Sequence, residues 1–150
     1  MWTDPAVWTR VPSNSTMRLA TYRVPKTDGD REDGEVSVFH FGPGKGGDVK
    51  ANLERWEKQF SDVAKANVRQ NEKTIAGFAV HLLEIDRGTF ASGMPGAPSK
   101  PSPGYGLLGA IVETPAGNYF FKLTGPEKTV KAAQRKFFAM LESIKVEAAP

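Results

Sequence analysis

Residues 105–124 read YGLLGAIVETPAGNYFFKLT, two runs of apolar and β-forming residues joined by Pro-Ala-Gly at residues 115–117. Such runs on either side of a short Pro/Gly connection indicate an antiparallel β-hairpin. Upstream, residues 78–86 read FAVHLLEID, with apolar side chains at both odd and even positions. A strand that is apolar on both faces is typical of the covered middle of a sheet. These segments predict the centre of an antiparallel sheet.

Three more strands are predicted outside this centre. Residues 17–24 and 35–41 alternate with the period of two that strands show, and the polar segment between them suits a hairpin turn. Residues 67–74 are polar and are predicted as a short edge strand. The predicted sheet therefore has about six strands, most of them joined by hairpins.

Two amphipathic helices complete the prediction. Asp48 is a good N-cap, and the apolar residues after it recur at helical spacing: Val49, Leu53, Trp56 and Phe60. The second helical stripe lies near the C-terminus: Val130, Ala133, Phe137, Leu141 and Ile144. Thr124 and Glu127 have the spacing of a capping box, which places the start of the second helix directly after residue 124.

The order of these elements predicts an α+β fold. An antiparallel sheet of about six strands with helices on both faces, an α/β/α sandwich, is the simplest architecture for two helices and mostly hairpin connections. We expect residues 1–150 to form a single domain. Within it, residues 1–16 are predicted as an irregular arm, and residues 91–104 as a long loop rich in Gly, Pro and Ser.

Composition excludes several functional classes. The absence of cysteine excludes disulfides, thiolate metal sites and thiol nucleophiles. Twenty Lys and Arg residues against 17 Asp and Glu give a net charge of +3, too small and too dispersed to indicate nucleic-acid binding. No apolar run approaches the roughly 20 residues of a membrane helix. The first residues lack a signal-peptide pattern, so we expect either a cytosolic protein or a signal removed from this chain.

Residues 42–47, GPGKGG, match the G-x-G-x-x-G pattern of dinucleotide-binding proteins. They follow a predicted strand and precede a predicted helix, and Asp62 lies twenty residues after the first glycine. Ser37 and His40 inside that strand, and hairpins elsewhere, argue against the parallel sheet that this motif requires. Anion binding by backbone N–H groups and a lysine remains as an alternative to a plain flexible connection. Its candidate residues are Gly44, Lys45, Gly46 and Gly47.

Catalytic and metal-binding patterns are absent from the sequence. Residues 28–35 contain five carboxylates without the spacing of an EF-hand, and we interpret them as a solvated hairpin turn. His40 and His81 lie in predicted strands, and His81 has only Glu84 and Asp86 further along its strand as partners for base catalysis. We therefore predict no catalytic residue, no metal site and no cofactor.

The loop at residues 91–104 is the second candidate binding surface, because binding residues concentrate on loops held by rigid scaffolds. Ten of its fourteen residues are Gly, Pro or Ser, and it contains one charged residue. This low charge suits a protein or peptide partner, with Met94, Lys100 and Tyr105 as candidate contacts. The alternative is an insertion with no binding role.

Several segments resemble known families. Residues 107–126, followed by a helix that ends in LESIK, are similar to the C-terminal half of PsbP-like domains, and PAVW at residues 5–8 resembles an early element of that family. A group of bacterial envelope proteins, many of them predicted lipoproteins, is similar to this chain at residues 17–22, 41–49, 52–56 and 123–126. The resemblance implies an α/β/α sandwich with a noncatalytic accessory or partner-binding role.

The sequence therefore predicts a noncatalytic binding or accessory domain of a bacterial cell-envelope protein. Its expected partner is a protein, a peptide or a small anionic ligand, with no nucleic acid, and with membrane contact only through a lipid anchor removed from this chain. Two alternatives remain open: a cytosolic chaperone or adaptor, and an enzyme with a dispersed site near residues 42–47 that uses Lys45 and His81.

Overall fold

One antiparallel sheet of eight strands and two helices make up the described part of the chain. The computed structural model describes residues 2, 5, 8–11, 18–27, 29–30, 32–40, 48–61, 63–64, 67–91, 102–115 and 117–144. In chain order the elements are β1 (Thr9–Val11), β2 (Arg18–Val24), β3 (Gly34–His40), α1 (Val49–Lys58), β4 (Phe60–Ser61), β5 (Val68–Ile75), β6 (Phe78–Phe90), β7 (Ser102–Thr114), β8 (Gly117–Pro126) and α2 (Glu127–Glu142).

The strands lie in the order β1-β2-β3-β8-β7-β6-β4, and β5 pairs with β6 beside β4. Every neighbouring pair is antiparallel. The predicted central hairpin is confirmed, because β7 and β8 pair continuously from Tyr105↔Pro126 to Thr114↔Gly117. The predicted edge strand is also confirmed as β5, all eight residues of which pair with β6.

The predicted α/β/α sandwich of about six strands is wrong, because the fold is mostly one large sheet of eight strands. Seven strands side by side, at about 4.8 Å each, make a sheet roughly 30 Å wide. The helices have 10 and 16 residues, which gives lengths of about 15 and 24 Å. Two helices of this size do not form layers over such a sheet. The sequence pattern missed β1 and β4, which have three and two residues, too few to show a period of two.

The N-terminal arm is not wholly irregular, because part of it is β1, which pairs with β2 from Thr9↔Arg23 to Val11↔Thr21. Trp8 anchors this arm to the fold, since its side chain is buried in the larger of the two hydrophobic clusters. Trp2 contributes a second contact, because its indole N–H donates a hydrogen bond to the hydroxyl of Tyr22 over 2.9 Å.

The buried apolar side chains form two clusters, and alternate residues of the central strands belong to one or the other. Leu82 belongs to the larger cluster, which includes the apolar stripe of α2, and Leu83 belongs to the smaller one. This division follows from the alternation of side chains along a strand. The members of the smaller cluster are Leu53, Trp56, Phe60, Leu83, Ile85, Leu107, Ile111 and Phe120. Of these, α1 contributes only the first two, so it covers a limited part of the sheet.

The two helices begin in different ways. Asp48 caps α1 as predicted, and its carboxylate accepts a hydrogen bond from the backbone N–H of Lys50 over 2.8 Å. The predicted capping box at Thr124 is wrong, because β8 continues to Pro126 and the residue before α2 makes no side-chain cap. The N–H of Thr129 donates instead to a carboxylate oxygen of Asp30, over 3.0 Å.

The acidic hairpin between β2 and β3 is exposed at Glu32, Asp33 and Glu35, in agreement with a solvated turn, and it also binds the start of α2. The Asp30 carboxylate accepts a second hydrogen bond from the hydroxyl of Thr129, which is 1% exposed. Asp33 accepts a hydrogen bond from the backbone N–H of Lys26 over 2.9 Å. Glu32 accepts one from the hydroxyl of Tyr105. The hairpin carboxylates therefore attach the β2–β3 turn to α2 and β7.

Candidate functional site

Most residues predicted from the sequence as binding residues lie outside the described part of the chain. These are Gly44, Lys45, Gly46, Gly47, Met94 and Lys100. Tyr105 is described, and on β7 it pairs with Gly88 of β6 and Pro126 of β8. Its ring stacks on Phe90 with 6.0 Å between the ring centroids and 5° between the planes. Its hydroxyl is bonded to the acidic hairpin, so Tyr105 has a packing role in the fold.

The two connections rich in glycine and proline start from opposite ends of the sheet. His40, the last described residue before residues 41–47, pairs with Tyr119 of β8. Tyr119 in turn pairs with Val112 of β7, and Val112 pairs with Val80 of β6. His40 and Val80 therefore lie at the same level of the sheet. The loop after β6 follows Phe90, ten residues further along that strand, a distance of about 33 Å at the usual rise per residue. The strand register therefore gives no support to one binding site formed by both connections.

The histidines do not form a catalytic group with the residues predicted for them. His81 Nε2 lies 2.9 Å from Glu113 Oε2, a side chain on β7. Glu84 and Asp86 are an odd number of residues away along β6, so they belong to the opposite face. His40 stacks on the ring of Tyr119, with 4.2 Å between centroids. Across the described ranges, no group of three or more His, Asp or Glu side chains is placed to hold a metal ion.

Glu84 and Asp86 instead bind Arg69 of β5. The guanidinium donates two hydrogen bonds to Asp86, over 2.8 and 2.7 Å, and a third to Glu84 over 3.3 Å. The hydrogen bond from Arg69 is the main cause that holds the pKa of Asp86 below its ordinary value, against an opposing effect of burial. This bidentate pair fixes β5 to β6 on the face that α2 also contacts through Gln134.

An open cleft of about 750 Å³ lies between α1, β4 and β5. It falls within the range of about 300 to 1,000 Å³ that is common for ligand sites. The described residues that line it are Glu54, Glu57, Lys58, Phe60, Ser61, Val63, Val68 and Gln70. Three of them are apolar: Phe60 belongs to the smaller hydrophobic cluster, and Val63 and Val68 pack against it. The others form a polar rim.

The cleft results from the way in which two strands share one edge of β6. Phe60 of β4 pairs with Phe90 at the end of β6, whereas β5 pairs with residues 78–85 of the same strand. Between these two stretches Val63 packs over Gly88, where any larger side chain would collide with it. Among the described residues, the cleft lies between β4 and β5 at this edge of the sheet, beside the last turn of α1.

Aromatic rings continue from the cleft towards the middle of the sheet. Phe60 lies 5.2 Å from Phe90, centroid to centroid. Lys122 of β8 places its ammonium 5.4 Å from the ring centre of Phe90 and 5.8 Å from that of Trp56, distances typical of cation–π contacts. It also donates a hydrogen bond to the Gln59 side chain. The side chains on this face are therefore apolar at Phe60 and Phe90, and a charged group, the ammonium of Lys122, lies beside them.

Sequence reasoning did not find this region. A lysine in the apolar run NYFFKLT is the one local signal for Lys122, since an isolated charge in a central strand needs particular neighbours. The cleft itself has no local signal, because its walls come from three elements whose proximity depends on strand order.

Comparison with known proteins supports the fold alone. No protein-family model matches the chain, and no curated protein matches its sequence. Among solved structures, PA94 from Pseudomonas aeruginosa, a protein of unknown function, is similar with a TM-score of 0.61 and 11% sequence identity, over 95% of this chain and 99% of that one. In the described part of the chain neither helix combines the length and hydropathy needed to cross a bilayer. The resemblance to PsbP-like and envelope proteins stays a prediction.

Proposed function

We propose that this protein is a noncatalytic binding domain that holds a peptide in the cleft between α1 and β5. The observation that supports the proposal is the apolar floor of this open cleft. Val63 and Val68 pack against the smaller hydrophobic cluster, but their side chains are only half-buried. Covering accessible apolar surface is worth about 25 cal/mol per Å², so an apolar ligand side chain placed there would be stabilised.

The polar rim suits a peptide better than a wholly apolar ligand. Glu54, Glu57 and Lys58 lie along one wall, and Gln70 lies on the other. Polar groups around an apolar floor fix the orientation of a ligand and provide specificity. The described lining contains carboxylates but no histidine.

Selection of a random peptide library displayed on phage, against the purified protein, tests the proposal. We expect enriched peptides whose binding weakens by about tenfold or more, equivalent to roughly 1.4 kcal/mol, in the variant Val68→Asp. Glu57→Lys, which changes the rim without touching the apolar floor, provides a second variant if Val68→Asp does not fold. Ala132→Asp adds the same charge at an exposed position of α2 and serves as the control.

Two results would contradict the proposed function. One is that no peptide is enriched over a selection on the blank support. The other is that enriched peptides bind the two cleft variants and the control equally well, with all three shown to be folded by circular dichroism.

The envelope location is a separate part of the proposal and is supported by the sequence resemblance. It is tested by fractionating cells that express the natural gene and probing the fractions with an antibody to this chain. We expect the protein in the periplasmic or membrane fraction. Recovery in the cytosolic fraction alone would favour the chaperone or adaptor alternative.

A further inference from the structure

We infer that a peptide ligand adds to the outer edge of β5 as an extended strand. This inference rests on the proposed function and names its binding mode. The occupant is a peptide segment with an apolar residue beside Val68 and a basic residue beside Glu72.

The edge of β5 is available for such pairing in the described structure. Its eight residues pair with β6 on one side, from Val68↔Ile85 to Ile75↔Phe78. Among the described strands, β6 is the only partner of β5. The backbone groups that point away from β6 therefore form a row of donors and acceptors along the edge. Peptide recognition by strand addition uses such a row for affinity and adjacent pockets for specificity.

The cleft provides an adjacent pocket in the right place. Val68 and Gln70, two residues apart and thus on the same face of β5, both line it. A strand added at this edge would lie about 4.8 Å from β5, and its alternate side chains would project to that same face. One of them, opposite Val68, would reach the apolar floor formed by Phe60 and Val63. The edge and the cleft are therefore continuous parts of one surface.

The charges on this face favour a basic ligand. Glu54 and Glu57 lie on the wall of the cleft, and Glu72 is on the same face of β5. Lys58 is the opposing charge among the described lining residues. On the other face, Arg69 is already bound by two carboxylates and Lys73 lies over the ring of Phe138, so both cations of β5 have partners there. Complementary charge would set the register and speed association.

Charged residues on an edge strand also prevent aggregation, and this explains part of the composition of β5. Comparison with β1, the strand at the opposite edge of the sheet, distinguishes protection against aggregation from ligand binding. β1 has three residues, which is too short for extended pairing, whereas β5 has eight and borders a cleft. Length together with an adjacent apolar floor is what points to a ligand.

The test uses the synthetic peptide VTEKTRTL, capped at both ends, as the probe. In antiparallel register its Leu faces Val68, its Lys faces Glu72 and its Arg faces Gln70. We expect saturable binding to the full chain with a Kd below about 1 mM, measured by amide shifts of residues 68–75 in NMR spectra. Glu72→Lys is expected to weaken binding by about tenfold, and Glu142→Lys, the same charge change on exposed α2, is expected to leave it unchanged.

Two N-methylated forms of the probe separate strand addition from other modes of binding in the cleft. One form carries methyl groups on the odd-numbered amides and the other on the even-numbered amides. In a strand only one of these sets faces β5, so one form is expected to lose binding and the other to keep it.

Three results would overturn the inference. The first is that the two methylated forms bind equally well. The second is that binding of the probe does not saturate up to about 1 mM. The third is that the protein alone forms a dimer and that Glu72→Lys abolishes this dimer. The last result would mean that a second copy of the chain occupies the edge. If phage-selected peptides still depend on Val68 while the methylated forms behave alike, strand addition fails and the proposed function stands.

Discussion

The carboxylate of Asp30 is expected to stabilise α2 from a hairpin that is 99 residues away in the sequence. It accepts hydrogen bonds from the backbone N–H and the hydroxyl of Thr129, in the first turn of the helix. That hydroxyl also accepts a hydrogen bond from the backbone N–H of Thr27 over 3.0 Å. Asp30 thus completes a network that joins the hairpin to the helix. We predict that Asp30→Ala lowers the free energy of unfolding.

The expected loss is about 2 to 3 kcal/mol. Removal of a side-chain cap typically costs about 1 kcal/mol. The substitution also leaves two donors of Thr129 without their acceptor, at a residue that is 1% exposed, and an unsatisfied buried donor costs about 1 to 3 kcal/mol. Because the two contributions overlap, we do not add their upper limits. For a domain of this size the melting temperature should fall by roughly 4 to 12 °C.

Urea unfolding of four proteins measures this effect: wild type, Asp30→Ala, Thr129→Val and the double variant. We expect a coupling energy of at least about 1 kcal/mol, because the two side chains share hydrogen bonds. Asp33→Ala is the matched control from the same hairpin. Its side chain is 40% exposed, so we expect a loss below about 1 kcal/mol. Additive effects, or equal losses for the two aspartates, would refute this account of the network.

Three further predictions test the packing around the candidate site. Asp86→Asn should cost about 1 kcal/mol at neutral pH. Since Arg69 lowers the pKa of Asp86 in the folded protein, this difference from wild type should be complete above about pH 4 and should vanish as the pH falls through the folded pKa. Gly109→Ala should cost about 1 to 3 kcal/mol in urea unfolding, because the added carbon would lie 2.7 Å from the Trp56 ring, and Trp56→Phe should relieve part of that loss. Tyr105→Phe should change stability by less than about 1.5 kcal/mol in thermal unfolding; a larger loss would contradict the packing role given to this residue.

The sequence predicted those elements whose pattern is local and long enough. The hairpin of β7 and β8 was predictable because each strand has at least ten residues and the turn has its own residue types. The cap of α1 was predictable because Asp48 bonds within its own helix. The start of α2 was not, because the group that binds Thr129 comes from a distant hairpin. Thr124 and Glu127 satisfied the capping-box spacing and were still overridden by the extension of β8.

The candidate site could not be predicted from the sequence because it also depends on contacts between distant segments. Polar residues of β5 indicated an edge strand, but neither their pattern nor that of α1 shows that β4 and β5 share one edge of β6. The cleft depends on that sharing. The sequence instead predicted binding residues in 42–47 and 91–104, because these segments are rich in Gly, Pro or Ser. The predictions made for those two connections fall mostly on residues outside the described part of the chain.

The two faces of β5 have different roles in the proposed binding mode. On one face Arg69 holds the strand to Asp86 through two hydrogen bonds and to Glu84 through a third. On the other face Val68 and Gln70 line the cleft. A strand fixed in this way is ordered before a ligand arrives, so little of the binding free energy is lost to ordering the protein. In the proposed binding mode, the ion pair on the far face would therefore support recognition without contacting the ligand.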